Sequence, residues 1–268
     1  MRRTIHIALA PFIALAACTT NATPQPEPAP VLPSCVPNRD GMITADELPI
    51  ALGATVTYYT GTNRTIAQTG TAWKLDDELP DDDVIELGPV ALGAQWYAAS
   101  FPSGQFVVDA GSGLDGIYHQ DAQALWLDGT ASHDESPAGG KTLVVYAPPV
   151  AVLRFPVTKG QSFSTTTTLV DATINGLPFN GTDELTVDVA ESGTLRVPYV
   201  EFSPVLRVRT HATRRASSGG VPAVGRRTTI FLFECFGEVT RAESKQDETN
   251  PDFTTAAYLR RFALGVTP

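Results

Sequence analysis

Chemistry in this chain is concentrated in one short oxygen-rich segment, CVPNRDGMITADEL at residues 35–48. Asn38, Asp40, Thr44 and Glu47 alternate oxygen-bearing side chains around Gly41, which suits a sharp turn around a hard cation such as calcium. The same residues also make a turn (Asn38 to Gly41) followed by a capping box, Thr44 with Glu47, that opens a helix stub. A second acidic run, Asp76, Asp77, Glu78, Asp81, Asp82, Asp83 and Glu86, reads as a solvated loop more readily than as a cation site. Nucleophilic hydrolysis lacks its usual frame: there is no G-x-S-x-G elbow, and Ser103 and Ser112 sit in glycine turns. His119, His133 and His211 are widely spaced and show no i, i+4 pair of the kind that holds zinc on a helix. The expectation is a protein that is not an enzyme.

Residues 36–47 resemble the later part of an EF-hand calcium loop, with Asn38, Asp40, Gly41, Ile43, Thr44 and Glu47 at positions three, five, six, eight, nine and twelve. The resemblance implies calcium held by Asn38, Asp40 and Glu47. Val36 occupies position one, where a carboxylate is required, and Pro49 stands where an exit helix continues. Calcium is therefore one reading of the segment, and a turn with a helix stub is the other.

The N-terminus carries an address. Arg2 and Arg3 precede a mostly apolar stretch too short to span a bilayer, which reads as a secretory signal over residues 1–17. Leu15, Ala16, Ala17 and Cys18 resemble a bacterial lipobox, which implies cleavage before Cys18 and its acylation. Thr19 in place of aspartate implies sorting to the outer membrane, with the protein facing the periplasm or the cell surface. Residues 18–34 carry prolines at 24, 26, 28, 30 and 33, which favour an extended tether reaching up to roughly 50 Å. Cys35 and Cys235 then remain as an even pair without C-x-x-C spacing, and in an oxidising compartment they are expected to form a disulfide. The formal net charge of −10, with Arg2 and Arg3 removed in the mature chain, excludes nucleic acid as a partner. Contact with the membrane falls to the lipid anchor.

Those candidate groups must be held by strands. After the EF-hand-like segment (35–50), residues 51–268 carry short β-branched or aromatic runs divided by Gly, Pro, Asp and Ser clusters, which predicts one antiparallel β domain with few helices. Strands are expected at 54–60, 95–99, 105–110, 116–119, 124–128, 143–146 and 151–155, with Pro148 and Pro149 turning the last two. Longer strands are expected at 162–174, 184–189, 194–198, 204–212 and 227–241, and a twisted final strand at 255–264. No run of ten to fifteen helical residues separates them, which argues for meander connectivity.

Residues 150–240 are loosely similar, in strand texture and turn placement, to exported bacterial proteins with strongly curved sheets, of which the lipoprotein-carrier-like open barrels are the best understood in shape. That similarity implies an all-β, single curved sheet forming a half-open barrel or clasp. Val197, Leu206, Phe231 and Phe233 are then either the lining of an apolar ligand cavity or ordinary core. The expected function is a membrane-anchored envelope lipoprotein that binds an apolar ligand or another envelope component. The alternative is a calcium-stabilised surface or adhesion module.

Overall fold

The computed structural model describes residues 34–218 and 222–265. The leader, Cys18 and the tether up to residue 33 lie outside them. The strands are β1 (Met42–Ile43), β2 (Val56–Thr65), β3 (Ala67–Thr69), β4 (Ala72–Lys74), β5 (Asp83–Leu87), β6 (Val90–Ala91), β7 (Phe106–Gly111), β8 (Leu114–Gln120) and β9 (Ala124–Ser132). They continue with β10 (Leu143–Arg154), β11 (Val157–Thr158), β12 (Ser162–Ile174), β13 (Leu177–Val197), β14 (Val200–Ala216), β15 (Val224–Phe233), β16 (Gly237–Glu243) and β17 (Thr255–Phe262). The helical content of the described residues is two single 3-10 turns, Leu92–Ala94 and Ala98–Ser100.

The main sheet is a meander that returns on itself. Strands β7 to β10 and β12 to β17 pair successively as antiparallel neighbours, and β17 then takes β2 as its next partner, with β5 outside it. Beyond β2 the chain passes through Ile66, whose N–H bonds the Thr254 carbonyl at 2.8 Å, into the β3–β4 hairpin. Strand β4 lies parallel to β13, pairing Ala72 with Thr194 and Lys74 with Arg196. This contact closes β2–β3, β4 and β13 to β17 into a small barrel, and the remaining strands extend from it.

Gly193 makes the closure possible. The Thr194 N–H bonds the Thr71 carbonyl at 3.0 Å, and a Cβ placed on Gly193 would stand 1.9 Å from that same oxygen. Only a residue without a side chain lets the two backbones approach so closely.

The barrel interior is filled by its own side chains. Trp73, fully buried, meets Phe231 edge-on with ring centroids 4.9 Å apart, amid Leu195, Phe202, Phe233, Val239 and Leu259. Alternation along β15 sends Phe231 and Phe233 inward, while Ile230 and Leu232 face outward into a second core with Val187, Val189, Leu206 and Val208. Because β15 is covered on both faces, its sequence reads as an unbroken apolar run, IFLF. Ile43 and Leu48 from the oxygen-rich segment join the second core. A third core gathers Leu92, Tyr97, Phe101, Val107 and Ile117 against β7 to β9.

Several sequence expectations are corrected. Residues 95–99 form turns rather than a strand, because Tyr97 and Phe101 fold inward together and the Tyr97 hydroxyl donates to buried Asp115 at 2.6 Å. Pro148 and Pro149 do not reverse the chain. They lie inside continuous β10, whose register against β9 slips between Val145 and Val150, where the missing proline N–H groups are tolerated. Residues 184–189 and 194–198 belong mostly to one strand, β13, bent by register shifts on either side of Gly193. Residues 227–241 are instead two strands, β15 and β16, divided at a tight turn where Cys235 and Gly237 take positive φ angles of 67° and 68°.

Candidate metal centre

The turn between β15 and β16 and the oxygen-rich segment are joined covalently. Cys35 and Cys235 form a disulfide with Cα atoms 5.6 Å apart, and the Cys235 N–H donates to the Glu47 carbonyl at 2.8 Å. Strand β1 within the segment pairs with β11, Met42 opposite Thr158 and Ile43 opposite Val157. With Ile43 and Leu48 buried below and the disulfide at one end, the loop is held at three points.

Those anchors bring Asn38, Asp40 and Glu47 together. The Asn38 Oδ1 accepts the Asp40 N–H at 2.8 Å and its Nδ2 donates to Glu47 Oε1 at 2.7 Å, while Asp40 Oδ1 accepts the Met42 N–H at 2.8 Å. Glu47 Oε2 accepts both the N–H and the hydroxyl of Thr44, at 3.0 and 2.9 Å. Only half of the capping box is formed, since the Glu47 N–H bonds the Thr44 backbone carbonyl and not its hydroxyl, and it opens a single turn and not a helix stub. The Glu47 N–H bonds the Thr44 carbonyl and the Leu48 N–H bonds that of Ala45, each at 3.2 Å. Pro49 ends the turn, because the residue before a proline is pushed out of the helical region. Val36 is 81% exposed and adds no oxygen from its side chain.

One buried contact of the loop lies outside any local sequence pattern. Glu234, the residue before Cys235, is 2% exposed, and its Oε2 accepts the Arg39 N–H at 2.6 Å. Arg39 takes a φ of 62°. The signal was available in principle, since a disulfide between Cys35 and Cys235 must carry the neighbour of Cys235 to the loop. Among the described residues no three His, Cys, Asp or Glu side chains are already drawn together as a metal-holding group.

The histidines sit elsewhere, each in its own setting. His119 Nδ1 lies 2.7 Å from Asp128 Oδ2 and its ring stacks on Trp126; burial raises the Asp128 carboxyl, and His119 opposes that rise. His133 Nδ1 lies 3.2 Å from Asp115 Oδ1, and this hydrogen bond and charge push the imidazole pKa up. His211 is lowered by burial and by the Arg227 charge. Among the described residues, no serine hydroxyl makes a hydrogen bond to any of these rings. In the acidic run, Asp82 is engaged by Arg64 and Arg261 and Glu78 accepts the Tyr59 hydroxyl, so part of that run is neutralised structurally.

Of the four apolar residues weighed as a cavity lining, Val197, Phe231 and Phe233 lie in the barrel core and Leu206 lies on the opposite face in the second core. Two open clefts flank the sheet: one of about 320 Å³ bordered by Asp76, Arg196, Tyr199 and Glu201, and one of about 310 Å³ bordered by His211, Arg215, Arg227 and Asp247. Both carry charged rims, and Val197 and Val200 also line the first. Among the described residues no helix is long and apolar enough to cross a membrane. Compared with protein-family models, with curated proteins and with solved structures, the chain matches none.

Proposed function

We propose that this chain is an exported, lipid-anchored envelope protein that works without catalysis, by presenting the surface of its β domain to another envelope protein. The observation that carries this reading is the filled barrel: Trp73 and Phe231, both fully buried, occupy the space that an apolar cargo would need. Of the two partners expected from sequence, a bound apolar ligand and an envelope component, the packing favours the second. Export and anchoring are supported by the leader ending at Cys18 and by a disulfide suited to an oxidising compartment.

A presenting surface is available at one end of the barrel. The β13–β14 hairpin carries Tyr199, 73% exposed, and the β15–β16 turn carries Phe236, half exposed against Phe202, Phe233 and Phe262. Exposed aromatic side chains set on a rigid base are the groups that anchor protein partners. The test is to place a photo-crosslinking aromatic amino acid at Tyr199 or Phe236 of the full chain in cells. One discrete protein adduct, absent when the same residue is placed at exposed Leu177 on the β12–β13 hairpin, is the expected result. Adducts to lipid alone, or none at either position, would overturn the reading.

A second reading is favoured by the Asn38, Asp40 and Glu47 geometry: the loop that joins the tether to the domain is stabilised by calcium. It is compatible with the first reading, since a stiffened loop would fix the domain's orientation on its tether.

A further inference from the structure

The cleft beside the β14–β15 hairpin sets cationic side chains against one another. His211 and Arg227 stand directly opposite on β14 and β15, and Thr213 stands opposite Gly225. Because side chains alternate along a strand, His211, Thr213 and Arg215 share a face with Gly225 and Arg227, and all five line the cleft of about 310 Å³ together with residues 247–249. Gly225 keeps its floor open, since a Cβ there would stand 2.9 Å from His211 Nε2. The neighbouring arginines each meet a carboxylate: Arg214 meets Asp183, Arg215 meets Glu184 and Arg226 meets Glu243. Among the described residues Arg227 forms no ion pair; its Nε donates to the Glu248 backbone carbonyl at 2.9 Å. The carboxylates nearest to it are held by other donors. Asp247 Oδ1 accepts the Gly225 N–H at 2.8 Å, which lowers its pKa, and Glu248 Oε1 accepts the Asn250 N–H at 3.0 Å.

From this we infer that the cleft binds a ligand carboxylate, held by the Arg227 guanidinium and the Thr213 hydroxyl and secured by a proton taken up on His211. The site lies at the opposite end of β14 from Tyr199, so it stands or falls apart from the aromatic surface. A guanidinium with its outer nitrogens unpaired offers parallel N–H donors that match a carboxylate. The charge selects a singly charged ligand. Arg215, Arg227 and a protonated His211 balance Asp247, Glu248 and one carboxylate, whereas a phosphate dianion would leave an excess of negative charge. His211 is the coupled group. Burial lowers its pKa first and the Arg227 charge next, Arg215 adds to the fall, and Glu184 on β13 opposes it; Thr186, opposite His211 on β13, is neutral. A bound carboxylate cancels the repulsion from Arg227, so ligand and proton favour each other and affinity rises as pH falls through the histidine range.

The experiment uses the full chain, purified in detergent with isotope-labelled histidine, and follows the imidazole signals by NMR as sodium acetate is added against sodium chloride at equal ionic strength. His211→Gln assigns the signal. In chloride the His211 pKa is expected below the ordinary 6.5; acetate should move it up and bind about threefold or more tightly at about pH 5.5 than at about pH 8. Arg227→Gln should raise the His211 pKa in chloride, because a like charge is gone, and abolish the acetate response. A merely structural arginine would not link those two readings. N-acetylalanine, with its amide as control, separates the sources of the carboxylate: binding tighter than acetate assigns the site to a peptide C-terminus, and equal binding to a small free acid. Acetate no better than chloride, an acetate response kept in Arg227→Gln, or inorganic phosphate bound more tightly than acetate would each overturn the proposal. If Arg227→Gln does not fold, Arg215→Gln at the exposed rim decides: acetate binding weakened several-fold supports the site, and unchanged binding overturns it.

Discussion

At Glu238 the protein carries its clearest acid sensitivity. Burial alone would raise this carboxyl, but Arg241 and Arg260 outweigh it and hold the pKa down at about 2, against an ordinary 4.5. Arg241 donates twice, at 2.9 and 2.6 Å, Arg260 donates from β17, and the Tyr58 hydroxyl donates to the Glu238 backbone carbonyl at 3.0 Å. A carboxyl depressed by folding adds stability above its unfolded pKa and loses it as pH falls through the folded value. The contribution is therefore complete above pH 4.5 and disappears between 4.5 and about 2. Its size is on the order of 3 kcal/mol at neutral pH. Glu238→Gln should lower stability at pH 7 by a similar amount and flatten the fall in denaturation midpoint across that acid window. A variant that keeps the full wild-type acid slope would show that other carboxylates set it. The full network was invisible in the sequence, because Arg260 joins the local Glu238–Arg241 pair only once β16 and β17 pair.

Among the elements, alternation and turn chemistry were legible where a strand has one polar face or well-marked ends. Residues 162–174 are a strand from end to end, as expected, and the final strand begins at Thr255 as expected. The misreadings occur where tertiary contacts override local pattern. Trp96 and Tyr97 look like a strand pair, yet Trp96 donates its indole N–H to the Ser132 carbonyl at 3.0 Å and Tyr97 is drawn to Asp115. The oxygen-rich loop was legible as a cluster of ligand types, while its contact with Glu234 was not, because nothing in a local window connects residue 234 to Arg39. Barrel closure was equally hidden, since it depends on a three-residue parallel contact and on the absence of one Cβ. Gly193→Ala should therefore act on an element rather than a residue: the added methyl collides with the Thr71 carbonyl and pushes β4 off β13. We expect a loss of about 1–3 kcal/mol by chemical denaturation and faster hydrogen exchange at the Thr194 amide. Unchanged exchange there would mean that the hairpin is not held by this contact.

At the scale of the whole molecule, the described residues form a packed β domain whose first residues are stapled to a late turn. The Cys35–Cys235 bond spans 200 residues and joins the start of the described domain to the barrel at the β15–β16 turn. In the chain-entropy model a loop of that length is worth about 5 kcal/mol, an upper figure because the unfolded chain retains some structure. The bond has a second consequence. A pull on the proposed tether would be delivered through Cys35 to the turn after β15, a strand buried on both faces, rather than to the short β1 or to the edge strand β5. Replacing both cysteines, Cys35→Ala with Cys235→Ala, should lower stability by several kcal/mol. It should also make residues 35–48 the first segment cut by a protease, because their remaining anchors are the two-residue β1–β11 pairing, the buried Ile43 and Leu48 side chains, and single hydrogen bonds. Limited proteolysis with mass-spectrometric mapping reads this directly. First cleavage within 35–48, with the barrel intact, is the expected order. First cleavage in the barrel strands would mean that the disulfide supports the whole fold and not the loop it closes.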